Sequence, residues 1–346
     1  MTIKKFVVSA ALGAVSVFAL ANTAFAAETI VLKLHQFLPA QATVPSKILY
    51  VWADKIEKDS GGHIKIDRYP SMQLGGRPPA LIDQVVDGVV DIIWTVAGYT
   101  PGRFVRTEVF ELPFMSYNAE ATSRAYWEMI DKDMRDKEFQ DVHILGGWVH
   151  GAGILHSQKP ITKLEDMKGL KIRGATRAIN MLLTELKAIP VGMPVPGVPE
   201  ALSKGVINAT TIPWEVAAPL KVAELVTNHT EFTGKALYTL PFIFVMNKDK
   251  YNSLPDDLKK VIDDNSGLEF SANAGRIMEE ADGPAREKAK QAGNNVIVLD
   301  AEETARWQKS SEAVYETWSK FMESKGFDAK ALIEDAQNLI EKHTKK

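Results

Sequence analysis

The stretch LIDQVVDGVVDIIW, residues 81–94, joins a predicted helix to a predicted buried strand. Its apolar residues at 81, 82, 85 and 86 share one helix face, and Gly88 is near the predicted end of that helix. Residues 89–94 are then almost continuously apolar, which is typical of a strand buried on both faces in a parallel sheet. The stretch therefore predicts a helix that packs on a parallel sheet.

The same alternation of strand and helix extends in both directions from residues 81–94. Strands are predicted at 29–35, 63–68, 142–148, 170–173, 206–210 and 238–247, with helices near 43–60, 119–130, 178–186 and 199–204. Helical patterns dominate later, over 256–292, 301–325 and 329–342. Alternation of this kind indicates an α/β fold with mostly parallel sheets. Ligands are then expected beyond the carboxyl ends of strands.

The composition is that of an ordinary folded protein. The chain has 346 residues, of which 45% are hydrophobic and 25% charged, and this length predicts two domains. A formal net charge of −3 leaves no basic excess for phosphate binding, so nucleic-acid binding is not expected. The sequence contains no cysteine, which excludes disulfides, thiolate metal sites and cysteine nucleophiles.

The first 26 residues have the pattern of a cleaved secretory signal peptide. Lys4 and Lys5 precede the apolar run Phe6–Leu20, and small residues lead to a predicted cleavage site after Ala26. A retained membrane anchor is the alternative, but the apolar run is shorter than the ~20 residues that cross a bilayer. We therefore expect export to a bacterial periplasm, with a mature protein that is not embedded in the membrane.

The sequence lacks the common motifs for catalysis and cofactor binding. It contains no P-loop, no G-x-G-x-x-G after a strand, no G-x-S-x-G and no H-E-x-x-H. His143, His150 and His156 match no standard metal-ligand spacing, so neither a metal nor a cofactor is predicted. The paired acids Asp256-Asp257 and Glu279-Glu280 lie on predicted helices and are typical of a solvated helix face. A secreted two-domain hydrolase that uses scattered carboxylates, which the sequence does not identify, remains the alternative function.

Several segments together resemble the solute-binding subunit of tripartite ATP-independent periplasmic (TRAP) transporters, of the DctP type. The most informative is Lys159–Arg173, in which a loop, a helical turn and a glycine lead into a strand that ends at Arg173. Other matching segments are PSMQLGG at 70–76, GYTPGRF at 98–104, ELPF at 111–114 and the region 190–212. The resemblance runs from about residue 27 to the final helices.

The resemblance implies a two-lobed clamshell with a ligand enclosed between the lobes and long C-terminal helices. We divide the chain into one lobe of residues 27–150 with 239–278 and another of 151–238 with 279–346. The implied function is binding without catalysis: the protein captures an organic acid and delivers it to a TRAP permease that uses an ion gradient. An extracellular sensory protein is a variant of this function.

Arg173 is the main candidate for binding the ligand. It matches the family's arginine for the ligand carboxylate, and a guanidinium binds a carboxylate through two parallel hydrogen bonds. The alternative is a surface ion pair of about 0–1 kcal/mol. Some relatives carry a second arginine roughly where Gly153 stands, and the family's acid-glycine element is replaced by Asn208-Ala209. The sequence therefore favours a monocarboxylate over dicarboxylates and sialic-acid-like sugars.

Aromatic residues lie at the predicted strand ends, where the resemblance places the pocket. They are Trp94, Trp148 and Trp214, together with Phe37 in the loop after the first strand. Aromatic pairs contribute about 0.5–1.5 kcal/mol beyond the burial of their surface. We therefore expect an aromatic or otherwise bulky monocarboxylate. Core packing is the alternative for each tryptophan, and an aliphatic or sugar acid is the alternative for the ligand.

Polar residues near the same strand ends are further candidates for the pocket. They are Gln73, Arg103, Thr210, Thr211, His35 and His150. The two loop residues, at 73 and 103, have a structural alternative because each can cap or pin its own loop. The histidines are candidates for hydrogen bonds to a ring substituent, with a satisfied structural histidine as the alternative.

Overall fold

The computed structural model describes residues 29–345, so the predicted signal peptide at 1–26 lies outside the described residues. The strands are β1 (Ile30–His35), β2 (Ile64–Tyr69), β3 (Ile92–Val96), β4 (Val142–Val149), β5 (Ile154–Ser157), β6 (Lys171–Gly174), β7 (Ile189–Gly192), β8 (Ala209–Ile212), β9 (Asn228–Phe232), β10 (Pro241–Asn247) and β11 (Asn295–Leu299). The α-helices are α1 (Tyr50–Asp59), α2 (Leu81–Val86), α3 (Ala119–Met129), α4 (Arg177–Glu185), α5 (Val198–Ser203), α6 (Trp214–Ala217), α7 (Lys248–Asn252), α8 (Asp256–Asp264), α9 (Leu268–Gln291), α10 (Ala301–Ser324) and α11 (Ala329–Thr344).

The strands form two mixed sheets, which confirms the predicted α/β class. The first sheet has the order β2-β1-β3-β10-β4, and the second has the order β11-β9-β5-β8-β6-β7. In the first sheet β1 pairs in parallel with β2 and β3, whereas β10 is antiparallel to both of its neighbours. The chain enters β10 from the second sheet, so β10 needs no helical crossover of the kind that parallel neighbours require. The sheets are therefore less parallel than the sequence pattern predicts.

Three segments connect the two sheets. Residues 150–153 link β4 to β5, and residues 233–240 link β9 to β10. The third is α9, which packs on α3 and β4 beside the first sheet and on α6 beside the second. The lobe boundaries stay a prediction, and the packing of α11 does not follow them. It belongs to the range 279–346, assigned to the second lobe, yet it packs against α3.

Sequence patterns missed some elements and merged others. The predicted helix 256–292 is two helices, α8 and α9, because the chain turns between them at Gly267, whose φ is +92°. The strand predicted at 89–94 is β3 at 92–96, and Val89 before it is 56% exposed. Strands β5, β7, β9 and β11 were not predicted, because they have only four or five residues and show no clear alternation.

A continuous apolar core extends through both sheets and the helices that cover them. Trp307, Val314 and Trp318 on α10 are part of it, since all three are buried. Across residues 29–345, every helix is too short or too polar to cross a membrane.

The contact between α9 and α3 depends on a glycine. A Cβ atom at Gly275 would lie 2.7 Å from the backbone oxygen of Ala119 and would overlap the hydroxyl of Ser123. That hydroxyl accepts a hydrogen bond from the backbone N–H of Val149 at 3.0 Å. Gly275 therefore sets the close approach of the helix that joins the two sheets to the helix beside β4.

We expect Gly275→Ala to lower the free energy of unfolding by about 1–3 kcal/mol, the usual cost of overpacking. Helix propensity alone predicts the opposite sign, because alanine is about 1 kcal/mol better than glycine inside a helix. Urea unfolding of the purified protein measures the difference. Asn273→Ala, at an exposed position on the same helix, is the matched control and should be close to neutral or stabilising. A stabilised Gly275→Ala protein would contradict the packing argument.

Candidate ligand-binding site

A cavity lies between the two sheets, beyond the carboxyl ends of β1, β3, β6, β7 and β8, where α/β sheets bind ligands. The side of the first sheet contributes Phe37, Leu38, Trp94, Val96, Tyr99 and Phe242. The side of the second sheet contributes Arg173, Val195, Ile212, Pro213, Glu215 and Val216. The connecting segments contribute His150, Tyr238 and Leu240. The lining is mostly apolar, with few polar groups.

Arg173 lies at the carboxyl end of β6 and is only 1% exposed. Its Nε donates to the carbonyl of Met193 at 2.8 Å, and its Nη1 donates to the carbonyl of Thr211 at 3.0 Å. Its Nη2 donates to the hydroxyl of Tyr99 at 3.4 Å. A guanidinium has five N–H donors. These contacts therefore orient the group and leave one N–H on Nη1 and one on Nη2 for a further acceptor.

The charge of Arg173 has no carboxylate counter-ion among residues 29–345. Its three hydrogen-bond partners are neutral, and no carboxylate oxygen of the described chain lies within 4.0 Å of its nitrogens. Arg106, which is also largely buried, is paired with Asp133 and Glu138. Burial of an unpaired charge is strongly unfavourable. The site is therefore built to receive an anion.

Tyr99 links the two sides of the cavity. It follows β3 on the side of the first sheet, and its hydroxyl accepts hydrogen bonds from Arg173 and from the backbone N–H of Val195 at 2.9 Å. Burial raises the pKa of Tyr99, so the hydroxyl keeps its proton at neutral pH. That proton is available as a donor, since both contacts use the oxygen as an acceptor.

Further contacts hold α4 against the side of the first sheet. Thr176 donates a hydrogen bond to Glu111, and Arg177 forms an ion pair with Glu108. Burial, reinforced by the charge of Glu108, raises the pKa of Glu111 to about 8, so this carboxyl is protonated at neutral pH. The segment that follows Arg173 is thus tied directly to the opposite side of the cavity.

The position of Gly153 is filled by a tyrosine ring. A Cβ atom at Gly153 would overlap the ring of Tyr238, and the backbone N–H of Gly153 donates to the carbonyl of Tyr238 at 3.0 Å. An arginine at this position would have to displace that ring. The cavity therefore offers Tyr238 where a second cationic group would stand.

Glu215 lines the cavity as a neutral carboxyl. Burial raises its pKa to about 8, the negative charge of Asp282 adds to the effect, and a hydrogen bond with Thr43 only partly opposes it. Asp282, on α9, accepts a hydrogen bond from the backbone N–H of Glu215 at 2.7 Å. Burial likewise raises the pKa of Asp282 to about 8. At neutral pH neither group neutralises the charge of Arg173.

Two of the predicted aromatic residues line the cavity. Phe37 and Trp94 stack on each other with ring centroids 4.6 Å apart and an interplanar angle of 16°. The ring of Phe242 on β10 also stacks on the ring of Trp94, with centroids 5.0 Å apart. Together they form an apolar aromatic wall on the side of the first sheet.

The other two predicted tryptophans lie outside the cavity. Trp148 is on β4 and does not line the cavity, although its ring is 6.4 Å from that of Trp94 with an interplanar angle of 11°; its Nε1 lies 3.2 Å from the sulfur of Met278. Trp214 packs on His156 and His229, and its Nε1 donates to Glu231 at 2.7 Å. Both rings are core residues in this arrangement, the alternative that the sequence left open.

The predicted polar residues are mostly structural. Gln73 is exposed, and Arg103 pairs with Asp83 at 2.6 Å; neither lines the cavity. The Nδ1 of His35 lies 2.8 Å from the Oε1 of Gln84, and its Nε2 accepts from the backbone N–H of Leu74 at 3.3 Å.

The two threonines before Trp214 differ in role. Thr211 supports Arg173 through its carbonyl, and its hydroxyl donates to the carbonyl of Arg173 at 3.2 Å. Thr210 is buried beside it in β8 and does not line the cavity. Neither threonine is among the residues that line the cavity, so their contact with a ligand stays a prediction.

Sequence reasoning missed Tyr99, Tyr238, Phe242 and Glu215 as lining residues. Tyr99 lies inside the quoted segment 98–104, whose position after a buried strand was the available signal. Glu215 follows the end of β8 directly and is the neighbour of the candidate Trp214, which was the available signal. Tyr238 and Phe242 carry no such signal, because they reach the cavity through the connection from β9 into β10.

Sequence comparison relates the chain to solute-binding proteins. A family model described as bacterial extracellular solute-binding protein, family 7 (DctP), matches residues 36–323. The C4-dicarboxylate-binding periplasmic protein DctP of Rhodobacter capsulatus is 26% identical over 286 residues, which cover 82% of this chain and 84% of that protein.

Solved structures agree with the sequence comparison. A TRAP solute-binding protein from Rhodoferax ferrireducens, in complex with copurified benzoate, matches with a TM-score of 0.90 and 48% identity, covering 92% of this chain and 99% of that chain. A marine metagenome TRAP solute-binding protein, described as specific for aromatic acid ligands and co-crystallised with 3-hydroxybenzoate, matches with a TM-score of 0.89 and 45% identity. That match covers 91% of this chain and 99% of the other.

The neutral state of Glu215 predicts a pH dependence of stability. Its pKa in the folded protein, about 8, lies above the ordinary value of 4.5. The contribution of this group to the free energy of unfolding is therefore complete below pH 4.5 and is lost as the pH rises to about 8. Glu215→Gln is expected to show a smaller fall in Tm between pH 5 and pH 8 than the unaltered protein. Thermal unfolding by circular dichroism measures both slopes.

The dependence of Tm on pH that remains in Glu215→Gln is expected to come from groups such as Asp282, whose pKa is also raised. Glu302→Gln, at an exposed position on α10, is the matched control and should leave the slope unchanged. Equal slopes for Glu215→Gln and the unaltered protein would show that Glu215 is ionised in the folded state.

Proposed function

We propose that this chain, which belongs to the DctP family of bacterial extracellular solute-binding proteins, binds an aromatic monocarboxylate and delivers it to the membrane subunits of a TRAP transporter. One observation carries the proposal. The guanidinium of Arg173 is buried without a carboxylate partner among residues 29–345, next to a cavity with a wall of stacked aromatic rings.

The carboxylate of the ligand is proposed to bind Arg173. The two N–H groups that remain on Nη1 and Nη2 match the two oxygens of a carboxylate. Hydrogen bonds to a charged group contribute about 1.5–3 kcal/mol each. The ligand also supplies the negative charge that the surrounding chain does not provide.

The ring of the ligand is proposed to pack against the aromatic wall. Phe37, Trp94 and Phe242 supply aromatic, apolar contacts, and Ile212 and Val216 line the cavity from the side of the second sheet. Two similar proteins, at 48% and 45% identity, hold benzoate and 3-hydroxybenzoate. Both ligands are aromatic monocarboxylates, which supports the same ligand class for this chain.

Only one strong cationic group lines the cavity within residues 29–345, which favours a monocarboxylate. A dicarboxylate would place its second charge near apolar rings and near Tyr238. An ionised group buried without a partner is costly. Aliphatic and sugar acids are therefore expected to bind more weakly than aromatic acids of similar size.

The ligand is proposed to hold the two sides of the cavity together. Arg173 and Val216 belong to the side of the second sheet, whereas Phe37, Trp94 and Tyr99 belong to the side of the first. A ligand shifts an equilibrium only if it binds one state more tightly. An aromatic acid touches both sides at once only when they are close, so it favours the closed form.

The central experiment is calorimetric titration of the mature protein with benzoate, cyclohexanecarboxylate, succinate and a sugar acid such as galactonate. The proposal expects the tightest binding for benzoate. Tightest binding of succinate or galactonate would overturn the aromatic assignment. The alternative of a secreted hydrolase is tested by incubating the protein with ester and glycoside substrates and analysing the mixtures by chromatography. The appearance of hydrolysis products would favour that alternative.

We expect Arg173→Lys to weaken benzoate binding by about 10–100-fold, since a single ammonium cannot replace two parallel hydrogen bonds. The charge is kept, and the Tm reports whether the fold is kept. Arg106→Lys is the matched control, because Arg106 is also mostly buried but is paired with carboxylates away from the cavity. Unchanged benzoate affinity in Arg173→Lys would count against the carboxylate assignment.

Trp94→Leu and Trp214→Leu together test which tryptophan contacts the ring. We expect Trp94→Leu to reduce the preference for benzoate over cyclohexanecarboxylate by about 2–10-fold, the range of one aromatic pair. Trp214→Leu should lower the Tm but leave that preference unchanged, because its ring packs away from the cavity. The reverse pattern, measured by calorimetry, would support the sequence-based assignment of Trp214.

A further inference from the structure

Unpartnered buried polar atoms are concentrated at the cavity. In residues 29–345, twelve buried side-chain nitrogen or oxygen atoms lack a hydrogen-bond partner, and four of them belong to cavity-lining residues. The four are Nε1 of Trp94, Nε2 of His150, Oε2 of Glu215 and the hydroxyl of Tyr238. Buried polar groups in native proteins are nearly always hydrogen-bonded. Such a cluster indicates polar groups that a ligand satisfies.

His150 is held in one orientation by its surroundings. It is 2% exposed in the segment between the sheets, and its carbonyl accepts a hydrogen bond from the hydroxyl of Thr239 at 2.8 Å. Its Nδ1 lies 2.6 Å from the carbonyl of Gly151. Gly151 is itself confined, because a Cβ atom there would overlap the carboxyl of Asp282. The imidazole is therefore fixed before any ligand arrives.

The hydrogen bond to Gly151 determines what the other nitrogen can do. A carbonyl only accepts, so Nδ1 carries the proton in that contact. Burial lowers the pKa of His150 to about 4, and the nearby positive charge of Arg173 adds to the effect, so the ring is neutral at pH 7. In a neutral imidazole with a protonated Nδ1, Nε2 is an acceptor. His150 thus presents a buried acceptor without a donor.

Tyr238 supplies a complementary group beside His150. The two rings are neighbours, with centroids 5.6 Å apart. Burial raises the pKa of Tyr238 to about 12, and the charge of Arg173 and a side-chain contact with Thr211 only partly oppose this effect, so its hydroxyl is protonated at pH 7 and can donate as well as accept. A group that both donates to His150 and accepts from Tyr238 must itself be a donor and an acceptor. A hydroxyl group has this property, whereas a methyl group has neither and a methoxy group only accepts.

We infer that His150 is a specificity-determining residue that accepts a hydrogen bond from a hydroxyl group on the ring of the bound acid. The preferred ligands are then hydroxy-substituted aromatic monocarboxylates, with the carboxylate on Arg173 and the hydroxyl between His150 and Tyr238. This inference rests on the proposed function, because it assigns one substituent of the same ligand. It adds a residue and a chemical group that the carboxylate and ring contacts do not require.

The first arm of the test uses the unaltered protein. Calorimetry compares benzoate with the 2-, 3- and 4-hydroxybenzoates and with the methyl and methoxy acid of each position. We expect at least one hydroxybenzoate to bind about tenfold more tightly than its methyl and methoxy counterparts, because only the hydroxyl satisfies the buried acceptor. No such preference at any ring position would overturn the inference.

The second arm uses substitutions at the two polar residues. His150→Phe keeps a ring but removes the acceptor, so the affinity for the preferred hydroxybenzoate should come to within about threefold of the affinity for its methyl counterpart, both measured in the same variant. His150→Gln offers an acceptor oxygen and should restore part of the preference. Tyr238→Phe keeps the aromatic ring, and it should lower the affinity for the preferred hydroxybenzoate relative to benzoate. A preference that is unchanged in His150→Phe would overturn the role of His150.

A spectroscopic measurement covers the case in which His150→Phe does not fold. Nitrogen NMR of the unaltered protein labelled at its histidines should show a shift of one ring nitrogen with the hydroxybenzoate and none with its methyl counterpart. Equal spectra with the two ligands would contradict the hydrogen bond. Suppose that the unaltered protein binds benzoate, that Arg173→Lys loses this binding, and that no hydroxybenzoate is preferred. This result would leave the proposed function intact and reject this inference alone. Failure of all aromatic acids to bind would reject the proposed function itself.

Discussion

The constraint on which the arrangement of this protein depends is the burial of a guanidinium that has no carboxylate partner in the part of the chain that the structure describes. Arg173 is oriented by two carbonyls and one hydroxyl, all of them neutral. Neutral dipoles orient a cation, but they do not replace the counter-charge that a buried ion requires. Stability of the closed form and binding of an anion are therefore parts of the same interaction. The carboxyls that surround the cavity do not relieve it, because Glu215 is itself buried and protonated at neutral pH.

The two sides of the cavity depend on each other through few polar contacts. Tyr99 reaches from the end of β3 to Arg173 and Val195, and Glu111 holds Thr176 in the same way. In the proposed opening of the cavity, each of these hydrogen bonds would be exchanged for one with water. Such exchanges have small net free energies, about 0.5–1.5 kcal/mol each. Small differences of this size allow a ligand that touches both sides to decide between open and closed forms.

The aromatic residues show how the same residue type takes different roles. Trp94 and Val96 lie two positions apart on β3 and both line the cavity, since alternate residues of a strand share a face. Trp214 begins α6 and packs against the histidines of the second sheet, whereas the next two residues of the helix face the cavity. One position in a helix turns a side chain by about 100°. Proximity to a strand end in the sequence is therefore not sufficient to place a ring in the site.

The sequence by itself determined the α/β class, the position of Arg173 at a strand end, and the resemblance that made this arginine the main candidate. These features are local: apolar periodicity, a glycine before a strand and a cation after it are all contained within a few adjacent residues. Only the tertiary structure decided which side chains share the cavity with Arg173. Tyr99, Tyr238 and Glu215 come from segments that meet because the chain passes between the sheets at 150–153 and 233–240. Their protonation states follow from desolvation by those distant neighbours, a property that no stretch of adjacent residues specifies.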